Sequence, residues 1–349
     1  MMKFFSDLMQ LRNSLRLPHQ FDVTPTIPII IFEVFIVLAV VCLLPILSKH
    51  IKKIPLRFFV IFLGVSVFEF FTNPMWLNYK MGAWAYVYQD VSWILIIAWS
   101  IMVLSTIVVV DKLFHALKEW YRFGIYLIIL TILVLIFEAL TIKLGIRHYP
   151  FEGKVPIDRY FFFGVPKDAL YYVPVCLALM IGFYKYWSFA IDQKNLIPVK
   201  KRNWFQCLGI SAIAIFLFEI MIDPMAENVN LPRWSYVFHD ISFLIMGAWI
   251  VIVWLAINFI DKFFIEQNIF NKFIGYLLFI FAFVLPIESW LILNGFVIFN
   301  PNVQANFSGF LLPVIKIPVE VAIAIPFYYA LIVPFIKYWE IVIYNKELL

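Results

Sequence analysis

Four glutamates, Glu69, Glu138, Glu219 and Glu288, stand inside long apolar runs, and the second pair follows the first at a constant spacing of 150 residues (Glu69 to Glu219, Glu138 to Glu288). Water loss penalises a carboxylate, so an acid in such surroundings is pushed toward its neutral form and becomes a proton donor near neutral pH. Ionisable groups placed among apolar residues at membrane depth are functional candidates by default. The same register repeats the residues around them. Phe68, Pro74, Met75, Asn78, Trp84, Tyr86, Asp90, Ser92 and Trp99 recur as Phe218, Pro224, Met225, Asn228, Trp234, Tyr236, Asp240, Ser242 and Trp249. After a loop the offset becomes 152, and Pro166-x-Asp168 matches Pro318-x-Glu320. Eight carboxylates thus gather toward one end of the chain's helices. They suit protonation of an alkene, with aromatic faces to steer the cation that forms.

The two copies differ where it bears on chemistry. Asn73 stands against Asp223 and Gln89 against His239. The second copy thereby gains a titrating pair able to pass protons to Glu219. Glu219, Asp223 and Asp240 are the expected reactive cluster, with Glu69 and Asp90 supporting it. Glu138, Glu288, Glu320 and Asp168 complete the acidic set. Asn78, Asn228, Trp84, Trp234, Tyr86, Tyr236, Trp99, Trp249 and His239 are the expected substrate contacts. Amides and amphipathic rings at a membrane edge also serve as anchors, which is the plainer reading of Asn78, Asn228, Trp84, Trp234, Tyr86 and Tyr236. Asp111 and Asp261, each followed by Lys, read as interfacial pairs, and the prolines at 74, 166, 224 and 318 as helix ends or kinks.

The elements that must position these groups follow from composition. Hydrophobic residues make up 64% of the 349, charged residues only 14%. Apolar runs of about 20 residues or more cross a bilayer, and lipid-exposed backbone must satisfy its own hydrogen bonds, so the spans are helices. Nine are expected, near 25–48, 57–76, 90–110, 123–145, 167–189, 204–224, 240–260, 272–295 and 312–336. The fold class is all-α integral membrane, with an amphipathic segment and leader helix over 1–56 and two parallel four-helix repeats over 57–190 and 200–349. Each repeat has an even number of spans, so both insert in the same sense. Lys52, Lys53, Lys200, Lys201 and Arg202 lie in loops on one side. That side is expected to be cytoplasmic in an inner or cytoplasmic membrane, with the N-terminus outside and the C-terminus inside. Residues 1–22 read as a surface-lying amphipathic stretch rather than a cleaved signal.

Several classes are disfavoured. The five histidines form no ligand cluster, so no metal is expected. Nor does a phosphate-binding glycine loop or a Gly-x-Ser-x-Gly elbow occur. The net charge of +5 sits between spans and is no nucleic-acid signal. Cys42, Cys176 and Cys207 lie in or beside apolar runs and read as small core residues.

Ile317-Pro318-Val319-Glu320 with Pro326, and Val165-Pro166-Lys167-Asp168 with Pro174, resemble the helix start of membrane lycopene cyclase domains. Glu219 to Trp249, with Asp223-Pro224, Trp234-x-Tyr236 and Ala248-Trp249, is similar to a stretch of bisanhydrobacterioruberin-type carotenoid hydratases. The second glutamate of the cyclase doublet is Ala169 in one copy and Val321 in the other. The resemblance implies a cofactor-free enzyme that protonates a polyene, with a lipophilic isoprenoid and membrane lipids as its partners. A carrier of a lipophilic or proton-coupled solute, using the acids as a relay, is the principal alternative, and an assembly protein whose acids meet a partner subunit is a third.

Overall fold

The structure, a computed structural model of the chain, describes residues 24–149, 163–167, 169–192 and 203–344, apart from the side chains of Pro74 and Asn302. The amphipathic segment, Asp168 and most of the charged loop after Tyr149 lie outside the described residues. Nine helices among those described are long and apolar enough to cross a membrane, and the protein is an integral membrane protein. They are α1 (Ile27–Ser48), α2 (Ile54–Thr72), α3 (Trp93–Leu113), α4 (Glu119–Lys143), α5 (Ala169–Ile191), α6 (Trp204–Ile222), α7 (Phe243–Phe263), α8 (Ile269–Leu293) and α10 (Val319–Tyr344). A short helix, α9 (Pro301–Ala305), precedes α10.

The duplication is exact in its element bounds: α2, α3 and α4 recur 150 residues on as α6, α7 and α8. The short strands recur as well: β1 (Leu77–Asn78), β2 (Tyr86–Tyr88), β3 (Val91–Ser92) and β4 (Arg147–His148) return as β5 (Ala226–Asn228), β6 (Tyr236–Phe238), β7 (Ile241–Ser242) and β8 (Val297–Phe299), with β5 and β8 each one residue longer. In both copies the first strand pairs antiparallel with the fourth, and the second with the third. Two expectations move. Asp90 and Asp240 are not at helix starts; they sit in hairpin turns where Gln89 and His239 take left-handed backbone (φ 44° in both). The helices begin only after Ser92 and Ser242, whose hydroxyls accept from Leu95 N and Leu244 N as N-caps. The last span starts at Val319 rather than near 312, because residues before Pro318 turn back, with Leu312 N bonding Ile317 O and Lys316 left-handed.

The fourth helices of the two repeats, α5 and α10, make the most extensive helix contact in the protein. Gly182 permits it: a Cβ there would lie 3.0 Å from Phe335 Cα across the interface. α5 also packs well on α6, but the equivalent pair, α10 with α2, touches far less. Near-symmetry therefore breaks along one seam.

The helix ends on the side of the basic loops are locked by ion pairs. Lys185 on α5 bonds Asp111 (2.9 Å) and Glu119 (3.0 Å), and Tyr338 of α10 donates to Glu119 at 2.7 Å. Lys337 on α10 bonds Asp261 and Glu340, each at 2.7 Å. Asp111 and Asp261, expected to pair with adjacent lysines, are matched instead by lysines on the repeat's fourth helix, which sequence distance concealed. Tyr126 and Tyr276 donate to the same two aspartates. The leader α1 is held to the first repeat by Glu33, fully buried, whose Oε1 accepts from Gly82 N at 2.7 Å.

Candidate functional site

The two copies of the glutamate site have opposite fates. In the first repeat the site is filled. Arg147, from β4, is almost inaccessible and reaches Glu138 (3.2 Å) and Glu69 (3.9 Å), while its Nε donates to Asn78 Oδ1 at 3.1 Å. Burial works against its charge, but the two glutamates outweigh burial and raise its pKa. The guanidinium lies 4.7 Å from the Trp76 ring centroid. Tyr149 donates to Glu138 at 3.0 Å, and Tyr172 to Tyr149 at 3.4 Å. What space remains among Phe68, Trp76, Trp99, Glu138, Arg147, Tyr149, Tyr172 and Cys176 is about 10 Å³.

In the second repeat the corresponding place is a cavity of about 660 Å³, within the 300–1,000 Å³ typical of small-molecule sites. Register explains the difference. Trp76 is replaced by Ala226 and Tyr172 by Ala324, both in the cavity wall, and Arg147 by Val297, which removes the cation. Glu219 and Glu288 line this cavity, and among the described residues no lysine or arginine is within ion-pair distance of either. Glu320, at the start of α10, also lines it; its Oε1 accepts from Ser308 N at 2.6 Å and its Oε2 is buried without a partner. The walls are rings and aliphatics: Phe70 and Phe71 of α2, Phe218, Trp249, Phe299, Phe307, Tyr328 and Tyr329. Along the loose α2–α10 seam the lining includes Leu63, Ile323 and Phe327, all surface-exposed, so the cavity opens sideways toward lipid. Phe71 stacks on Phe327 at 5.2 Å, and Tyr328 donates to Phe71 O across the same seam.

Outside the spans, the hairpin turns hold a second contrast. Asn73 Nδ2 donates to Asp90 Oδ1 at 2.7 Å, Asn78 N to Asp90 Oδ2 at 3.0 Å, and Asn78 Nδ2 to Asp90 O. Burial raises the Asp90 pKa against those hydrogen bonds. Asp223 takes the place of Asn73. Asp240 keeps the backbone donor Asn228 N at 2.8 Å, but the group beside it in place of the Asn73 amide is a second carboxyl, that of Asp223. Burial first, then Asp223, pushes Asp240 up to about 7. His239 Nδ1 lies 3.0 Å from Asp223 Oδ2.

Of the expected substrate contacts, Trp249 lines the cavity, and Trp99 lines its closed counterpart. Asn78, Trp84, Tyr86, Trp234, Tyr236 and Asn228 do not line it. Trp84 and Trp234 are surface residues packed on Trp93 and Phe243. Tyr86 and Tyr236 accept from Met81 N and Leu231 N and brace their loops. Their recurrence in both copies is architectural. Arg147, Glu33 and the lysine clusters were not picked out from sequence; comparing Arg147 with Val297 in register is the signal that identifies the filled copy.

Two expectations follow. Arg147→Met leaves Glu138 and Glu69 buried without a cation and should cost about 3–5 kcal/mol, as removal of one partner from a buried ion pair does. Thermal unfolding in detergent reads this, and adding Glu138→Gln should return part of the loss. Asp240 binds a proton in the folded state up to about pH 7, above the ordinary carboxylate range where the unfolded chain releases it. The stabilisation is therefore complete at acid pH and is lost as pH rises toward 7. Wild-type Tm should fall between pH 5 and 8 more than that of Asp223→Asn, and parallel profiles would mean that Asp223 does not raise Asp240.

Comparison with protein-family models, with curated proteins and with solved structures finds no match for this chain.

Proposed function

We propose that the protein is a cofactor-independent membrane enzyme that performs acid–base chemistry on an isoprenoid or carotenoid polyene, by cyclisation or hydration. The observation that carries this reading is the pair Glu219 and Glu288, without a basic partner among the described residues, in the wall of an aromatic cavity that opens toward lipid. A long apolar substrate enters such a cavity from the bilayer without crossing water. In its acid form, Glu219 adds a proton to a terminal double bond, whose π electrons form the new C–H bond and leave a tertiary cation. Ring faces of Trp249, Phe218 and Tyr329 offer it about 0.5–2 kcal/mol each when desolvated. A second alkene of the same chain then attacks the cation, and loss of an adjacent proton to the carboxylate gives a ring at constant mass. If water attacks instead, loss of its proton to the carboxylate gives an alcohol heavier by one water. In both routes the acid is regenerated, and neither needs redox chemistry.

A transport reading calls for a polar path between the two faces. Against it stands the confinement of the cavity's polar groups to one end, while the opposite end is closed by the ion pairs of Lys185 and Lys337. In this proposal the basic loops face the cytoplasm, the N-terminus is outside, and the site lies in the outer half of the membrane. Expression in a host that accumulates linear polyenes, followed by mass spectrometry of the lipid extract, tests the reading. A product isomerised at constant mass or shifted by one water supports it; an unchanged profile across linear C30 to C50 polyenes removes it.

A further inference from the structure

We infer that His239, Asp223 and Asp240 form a proton port that links the aqueous side of the non-basic face to Glu219. The inference rests on the reading of Glu219 as the site's acid and adds where its proton comes from. Asp223 caps α6, and its backbone N–H donates to Glu219 O at 2.9 Å, so the two carboxylates are one turn apart on the same helix face. One end of the series is wet: the His239 side chain is 53% accessible. The next member is dry: the Asp223 side chain is 7% accessible and its Oδ1 is buried without a partner. From there Glu219 reaches the cavity.

The first repeat shows the same geometry with the proton chemistry removed. There an amide, Asn73, donates to Asp90 in place of the carboxyl of Asp223, and Gln89 occupies the His239 position at the same φ of 44°. An amide donates a hydrogen bond but does not exchange its proton in a relay. A carboxyl between an imidazole and a second carboxylate does. The change therefore coincides with the copy that carries the open cavity. Among the described residues, the titratable groups around the Asp223–His239 pair are Glu219 from α6, Asp240 from the hairpin turn, and Tyr171 from α5, whose ring lies 6.1 Å from that of His239. Phe238 stacks on the imidazole at 4.1 Å and shields its other side.

The test needs no substrate. Infrared difference spectra of the full-length protein in detergent, with and without Glu219→Gln, identify the carboxyl C=O band that belongs to Glu219. Its shift after transfer into heavy water gives the exchange rate of that proton. The double variant Asp223→Asn/His239→Gln reproduces the pairing found in the first repeat and should fold. It is expected to slow Glu219 exchange by about 100-fold, the low end of what a positioned proton-transfer group contributes. His239→Gln alone should slow it less, with restoration by added imidazole. Unchanged exchange in the double variant overturns the port and leaves the acid reading of Glu219 standing. Absence of any band sensitive to Glu219→Gln overturns both.

Discussion

Replacing Ala226 by Trp and Ala324 by Tyr should abolish product formation while leaving the protein folded. Those are the residues the first repeat carries at the same places, Trp76 and Tyr172, and there they leave about 10 Å³ where the second repeat has about 660 Å³. Introducing large side chains into a packed core costs about 1–3 kcal/mol through forced rotamers, but here they enter empty space. Stability should hold or rise, since filling a void restores contacts its walls lack. Turnover in membranes and Tm in detergent, measured on the same preparations, check this. Retained turnover with both large residues in place would mean that the chemistry happens elsewhere. A steep loss of Tm would mean that the second repeat cannot accept the first repeat's packing.

Glu219→Gln is expected to lower turnover by at least about 100-fold, the lower bound for a positioned general acid. Glutamine keeps the shape and can donate a hydrogen bond, but it has no proton to transfer to an alkene. Glu69→Gln should have a clearly smaller effect on turnover, because Glu69 faces Arg147 in the filled copy and does not line the cavity. Its cost should appear in stability, where Arg147 loses part of its counter-charge. Product formation normalised to protein in the membrane, beside Tm, separates the two outcomes. Equal losses of turnover would point to a site shared by both copies. An unaffected Glu219→Gln would transfer the acid role to Glu288 or Glu320, the other carboxylates of the cavity.

Sequence by itself determined the architecture. Apolar run lengths set the nine spans, because a bilayer admits only helices or closed barrels, and the 150-residue register matched the elements of one repeat to those of the other. It also brought forward Glu219 and Glu288, since charge inside an apolar run is costly enough to stand out. The differences at Asn73/Asp223 and Gln89/His239 were legible for the same reason: they change protonation chemistry at fixed positions.

Tertiary structure decided which copy is open. Trp76, Arg147 and Tyr172 are far apart in sequence and fall just before β1, on β4 and on α5. Ala226 and Ala324 bound one cavity only when those elements meet, and Val297 there supplies no counterpart to the Arg147 guanidinium. Side-chain volumes add up in space, and no local pattern along the chain records that sum. The same holds for Lys185 and Lys337, whose aspartate partners Asp111 and Asp261 lie 74 and 76 residues away in sequence. The loose α2–α10 seam is likewise invisible to periodicity. Near-identical helix patterns in the two repeats allow either symmetric or broken packing, and only the packed bundle chooses between them.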